Sequence, residues 1–185
     1  MKQMGLESLP TLDIIFTAED EVLNGFAVPA NYTIIWVDQN DAALWTGDEK
    51  WLRTVLAHEL QHLVYFNTVK GPWWLPEPMN SLVHGTPAWI VEGIAEYFTE
   101  EWRPFRYELS HRYHVLRNTV HKIEDPHNDG YSKSLYLADR FGDSTISKIL
   151  NHRNKLKFLD FKESFKKHTG ITLKQFNEDW RRQMN

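Results

Sequence analysis

Two histidines and a glutamate carry the first chemical signal in this chain. His58-Glu59-Leu60-Gln61-His62 fits the pattern H-E-x-x-H. On an α-helix, positions i and i+4 lie one turn apart on one face, so two imidazoles spaced this way can grip one metal ion. Glu59 stands beside that face, within reach of a water that the metal activates, as a general base requires. With 9 His and 14 Glu among 185 residues, chance alone would produce the pattern in about 3% of such chains. The surrounding sequence therefore has to decide.

A catalytic zinc site takes three protein ligands from His nitrogens and carboxylate oxygens and keeps a further position open. His58 and His62 supply two. A third histidine six residues after His62 would complete H-E-x-x-H-x-x-G-x-x-H, but the glycine position holds Tyr65 and the histidine position Thr68. The chain has no cysteine, so thiolate ligands, disulfides and a cysteine nucleophile are all excluded. A glutamate on a following helix remains. In Trp89-Ile90-Val91-Glu92-Gly93-Ile94-Ala95-Glu96-Tyr97, Glu92 and Glu96 share one helical face among apolar neighbours. Carboxylates in such a setting need a partner. Glu92 is assigned to the zinc, one ion. Glu96 is assigned to orient a ligand imidazole, that of His58, by accepting its hydrogen bond. Gly93 and Ala95 are small enough to let this helix pass close to the histidine-bearing one.

These side chains need particular elements beneath them. Thr46-Gly47-Asp48-Glu49 reads as a capping box, so a helix is expected over 47–66. Leu52, Leu56, Leu60 and Leu63 form its apolar face, with Trp51, Val55, His58 and His62 alongside. Upstream, 12–17 and 32–37 are β-branched and aromatic and read as strands, with Asn24-Gly25 as a turn and Phe26-Ala27-Val28 as a short third strand. Residues 10–45 are thus expected to form a small, mostly antiparallel sheet. Residues 67–87, rich in proline and containing Trp73-Trp74 and His84, read as a long loop that could wall the cleft. Helices are expected over 88–101, 105–121, 131–141, 144–151 capped by Asp143, and 161–168 capped by Asp160 with Glu163, with a last one opening at Thr172 with Gln175. Residues 122–130, including His127, read as loop. His111 and His114 read as an exposed polar pair, and His152 and His168 as imidazoles favoured by helix C-termini. The whole is a single α+β domain spanning 1–185, with the sheet at about 10–45 and helices from 46 onward.

Composition sets the outer bounds. A net charge of −4 offers nothing to nucleic acid. No apolar run of 18 residues suggests a transmembrane segment, and residues 1–13 lack the apolar core of a signal peptide.

With these motifs in place, the chain resembles the gluzincin zinc metallopeptidases. It is most similar to the peptidase MA-like domains distantly related to aminopeptidase N and thermolysin. The likeness rests on His58, Glu59, His62, Glu92, Gly93, Ala95 and Glu96 and extends over about residues 50–150. It implies a zincin-like fold and hydrolysis of peptide or protein substrates, with Glu59 as general base. Tyr131-Ser132-Lys133-Ser134-Leu135 matches a Y-x-K-x-L setting, which implies that Tyr131 donates to the oxyanion. His127 is the other candidate donor. Similar bacterial domains often precede a β-propeller, so the resemblance also implies an exported parent protein with an appended domain. The substrate-anchoring G-x-M-E-N of true aminopeptidases is replaced by Gly25-Phe26-Ala27-Val28-Pro29, which favours endopeptidase action. The competing expectation is a non-catalytic peptide- or protein-binding module on the same fold. Intact Glu59 speaks against it, because a binding module has no need of a base.

Overall fold

Strands form where β-branched and aromatic residues cluster. They are β1 (Asp13–Thr17), β2 (Gly25–Val28) and β3 (Tyr32–Trp36). The structure, a computed structural model, describes residues 4–18, 25–37, 48–69, 71, 74–75, 84–99, 108–119 and 126–184. The helices that follow are α1 (Asp48–Thr68), α2 (Ala88–Phe98), α3 (Glu108–Leu116), α4 (Pro126–Phe141), α5 (Ser144–Asn151), α6 (Phe161–Thr169) and α7 (Leu173–Gln183). The α+β class stands, with the sheet first and the helices after it.

The sheet corrects the expectation of a mostly antiparallel arrangement. Its order is β1-β3-β2, with β2 antiparallel and β1 parallel to β3. Chain direction still alternates from strand to strand. However, β3 inserts between the other two, so β1 and β3, which run the same way, become neighbours. Burial accounts for the central place of β3, because Thr33 and Ile35 are fully buried while β1 is exposed along most of its length. The turn between β2 and β3 is Pro29-Ala30-Asn31, with Asn31 at φ 65 and its N–H bonded to the Val28 carbonyl. Asparagine tolerates this left-handed conformation better than most residues. Asn67 Nδ2 donates to Asn31 Oδ1 at 2.8 Å, tying the turn to the end of α1.

Helix α1 begins one residue later and ends two residues later than expected. The capping box at Thr46 lies outside the described residues. The most buried stripe of α1 is not the leucine face. Thr54, Val55, His58, Glu59, His62 and Leu63 are buried, whereas Leu52, Leu56 and Leu60 are only partly so. The face of α1 that carries the two histidines is therefore its inner face. The other end of α1 is held by Arg153, whose guanidinium donates to the Thr68 carbonyl and also to those of Leu150 and His152. A cation on terminal carbonyls satisfies groups that a helix leaves unpaired.

Helix α4 starts at Pro126, five residues ahead of the expected boundary. Proline suits a first helical position, where its missing N–H would have had no partner. This start brings His127 and Gly130 into the helix. Gly93 of α2 meets Gly130 of α4 and not α1, which corrects the role expected for it. A Cβ built on Gly93 would lie 2.3 Å from the Gly130 carbonyl oxygen, and one on Gly130 would lie 2.3 Å from the Trp89 carbonyl oxygen. The two helices thus touch backbone to backbone.

The core lies on the helical side. Trp89 stacks on Phe176 of α7, and Tyr136 and Phe165 pack against the same ring. Trp180 Nε1 donates to the buried Ser132 Oγ at 2.9 Å. Thr172 and Gln175 make the expected capping box of α7, and Asp160 caps α6. Asp143 itself makes no side-chain cap on α5. Of the loop 67–87, Trp74 is exposed, and most of the remainder lies outside the described residues.

The crossing makes a stability prediction. In an open helix, Gly→Ala gains about 1 kcal/mol of helix propensity. At Gly93 the methyl meets a carbonyl that cannot step aside, and overpacking costs about 1–3 kcal/mol or more. Gly93→Ala should therefore lower the urea midpoint without changing the slope of the transition. A variant that gained stability would mean that the two backbones do not meet there.

Candidate metal centre

Three helices deliver the polar cluster. The buried stripe of α1 presents His58, Glu59 and His62, one face of α2 presents Glu92 and Glu96, and the first turn of α4 presents His127. Gly93 touches Gly130, and Glu96 reaches His127. Three residues forward on α2 thus match three residues back on α4, so the two helices run antiparallel.

His58 Nε2 and His62 Nε2 are 3.0 Å apart. Glu92 Oε2 lies 3.6 Å from the first and 3.4 Å from the second. Zinc bonds of about 2.0–2.1 Å in tetrahedral geometry set ligand atoms about 3.3 Å from one another. The three sides scatter around that value, so the donor set fits a zinc ion in both chemistry and spacing. Glu59 is buried beside the two imidazoles, as the one-residue offset from His58 demands.

Behind the triangle sits Glu96, fully buried. Its Oε1 is hydrogen-bonded to His127 Nδ1 at 2.8 Å and lies 3.3 Å from His58 Nδ1, close but short of hydrogen-bond geometry. Its Oε2 is buried with no hydrogen-bond partner among the described residues. His127 Nδ1 is also 3.4 Å from Glu92 Oε2, and 42% of the His127 side chain is exposed.

Electrostatics separate the carboxylates. Burial alone would raise the Glu92 carboxyl. The neighbouring imidazoles of His58 and His62, with the charges of His62 and His127, outweigh it and hold the group well below the usual carboxylate range. Burial pushes the Glu59 carboxyl up. The charges of His62 and His58 pull it back, Glu92 pushes it up again, and a hydrogen bond from the Ala27 backbone N–H lowers it. That last contact makes β2 part of the site. A Cβ on Gly25 would fall 2.5 Å from Glu59 Cγ, so only glycine fits there without moving the carboxylate.

Two further residues singled out in the sequence are buried. Tyr131 follows His127 by one turn on α4 and packs among core residues. His84 is buried against the edge of Tyr65, with Nδ1 2.6 Å from Thr86 Oγ1. Its carbonyl accepts from the Phe161 N–H, so it joins the chain before α2 to the start of α6. His114 pairs with Thr119 Oγ1, and the His111 side chain lies outside the described residues. His152 and His168 pack ring to ring. Burial and then the neighbouring His152, Lys167 and Lys148 push His168 down, so its cationic form is disfavoured.

Gly25, Ala27 and Gly130 are the contributors that the sequence reading missed. Asn24-Gly25 read locally as a turn, and Gly130 as the end of the loop 122–130. The available signal for Gly130 was a second glycine to match Gly93. Comparison with protein-family models, with curated proteins and with solved structures finds no match for this chain.

His84 makes a prediction about acid stability. Burial lowers its imidazole from 6.5 to about 4. The folded chain thus favours neutral His84, whose Nδ1 accepts from the Thr86 N–H. The stability this group confers is complete above 6.5 and is lost as pH falls from 6.5 towards 4, because the unfolded chain takes up the proton first. His84→Gln should lower stability at neutral pH and flatten the acid decline over that interval. Urea midpoints of both proteins across the interval test it, and parallel curves would refute it.

Proposed function

We propose that this chain is a zinc-dependent metallopeptidase of gluzincin type, with His58, His62 and Glu92 as ligands and Glu59 as general base. The observation that carries the reading is the triangle of His58 Nε2, His62 Nε2 and Glu92 Oε2, with sides of 3.0, 3.6 and 3.4 Å. It combines zinc-like spacing with a buried base at its flank. The Cys-free donor set and the Glu96 carboxylate behind His58 agree with it.

Zinc, when bound, polarises a scissile carbonyl and makes water a competent nucleophile near neutral pH. The chain's own groups do the rest. Glu59 takes the proton of the attacking water on a carboxylate oxygen and returns it to the leaving amine. The Ala27 N–H and the bare Cα of Gly25 set where that carboxylate rests. Glu96 Oε1, 3.3 Å from His58 Nδ1, stands where an orienting carboxylate would, behind the imidazole whose Nε2 joins the ligand triangle. Of the two expected oxyanion donors, His127 has solvent-facing surface beside the ligands, and Tyr131 is buried one turn further along α4. The substrate is a peptide or protein, cut internally.

Paired measurements of zinc content and peptide-library cleavage test the assignment. Glu59→Gln should keep one zinc equivalent and lose about 10²–10⁴-fold in cleavage rate. Glu92→Ala should lose most of its zinc, and a full equivalent in that protein would refute the ligand set. Zinc-loaded wild type that cuts no member of a broad library, with or without chelator, would favour the non-catalytic binding module instead.

A further inference from the structure

The cluster holds one more nitrogen donor than a three-ligand centre needs. Two groups of potential ligands share His58. One combines it with Glu59 and His62, the other with Glu92 and His127, and within each group the ligand atoms lie within 4.8 Å of one another. His127 Nδ1 is 3.4 Å from Glu92 Oε2, the same separation as His62 Nε2 from that oxygen. Judged by its distance to Glu92, His127 is as well placed as His62. Both fall close to the spacing of about 3.3 Å expected between two ligands of one tetrahedral zinc.

We propose that His127 is a fourth, exchangeable protein ligand that closes the metal centre at rest. The inference rests on the zinc reading above and adds regulation to it. A catalytic zinc keeps one position open, whereas a centre with four protein ligands is closed. With His127 Nδ1 on the metal, the set is three imidazoles and one carboxylate, and the position that substrate needs is filled. With His127 Nδ1 donating to Glu96 Oε1, at the 2.8 Å seen here, the position is free. The two anchorages compete for a single nitrogen. Glu96 is therefore the resting place of the displaced ligand as well as the carboxylate behind His58.

The fold makes the exchange a small movement. His127 lies on the first turn of α4, and its ring centroid is 5.6 Å from that of His58, with the two rings tilted by 31°. The turn itself is fixed from below, because Gly130 is pressed against Gly93 one turn further on. A neutral imidazole bound to metal through Nδ1 carries its proton on Nε2, so on release Nε2 gives that proton to water and Nδ1 takes one up before it donates to Glu96, with no net change of charge.

Cobalt-substituted protein tests the proposal without reference to turnover. In wild type, Co²⁺ should show four-coordinate visible bands that resist added azide, because His127 fills the position azide would take. His127→Ala should open that position, so azide should shift the bands at concentrations at least about tenfold lower, and zinc affinity should fall by about 10–100-fold, the loss typical of even an outer-sphere partner. His127→Asn, which keeps a polar side chain at this half-exposed position, guards against a folding artefact and should behave alike. Wild type and both variants responding equally to azide, with equal zinc affinity, would overturn the fourth-ligand role and leave the three-ligand centre standing. Wild type that binds neither Co²⁺ nor Zn²⁺ would overturn both.

Discussion

The contact between Gly93 and Gly130 is the constraint on which the site depends. Two helices can approach this closely only where neither carries a Cβ, and here each backbone occupies the space that a methyl group would need. Because α2 and α4 run antiparallel, the same contact fixes what lies one turn away. Glu96 follows Gly93 by three residues, His127 precedes Gly130 by three, and the two side chains meet. Any larger separation would leave the Glu96 carboxylate buried without the imidazole that faces it. The packing and the polar cluster are consequences of one crossing.

Burial of the cluster sets its electrostatics. Glu59 and Glu96 are buried and Glu92 is partly so, and three carboxylates this close repel one another strongly where water is scarce. Imidazoles from two helices answer them. The result is graded. Glu92 is held firmly ionised by its histidine partners, while Glu59 is pushed the other way by burial. The proposed roles, a ligand carboxylate at Glu92 and a proton-shuttling one at Glu59, would need opposite tuning of this kind. A divalent cation among the three anions would complete the balance.

The histidine helix was legible in the sequence because its signal is local. His58 and His62 are one turn apart whatever surrounds them, and Glu92 and Glu96 stood out as charges among apolar neighbours. The caps at Asp160 and Thr172 were legible for the same reason. What escaped depends on partners distant in the chain. Strand order was hidden because β1 and β3 pair across the intervening β2, which no local pattern encodes. Gly93 was read as small enough for a close approach, but the helix it approaches is chosen by Gly130, which lay within an apparent loop. His127 was placed in that same loop, and its part in the cluster appears only once α4 is extended back to Pro126. The leucine face of α1 gave the period correctly but not which side is deepest, because the buried His and Glu count as polar in any hydrophobic pattern.

The short β2 strand bears on the proposed role of Glu59. A buried carboxylate on a rigid helix still has its own rotamers, and a general base would have to select one. The Ala27 N–H bonds the Glu59 carboxylate, and Gly25 closes off the space on one side of it. Those two backbone contacts act only if β2 is itself held in place. Antiparallel pairing with β3 holds it in register, and the Asn31–Asn67 bond ties the hairpin turn to α1, the helix that carries Glu59. The loop closes on itself: α1 anchors the turn, the turn sets β2, and β2 positions a side chain of α1. The sheet thus contributes two backbone groups to the site, and it does so through residues whose side chains carry no chemistry.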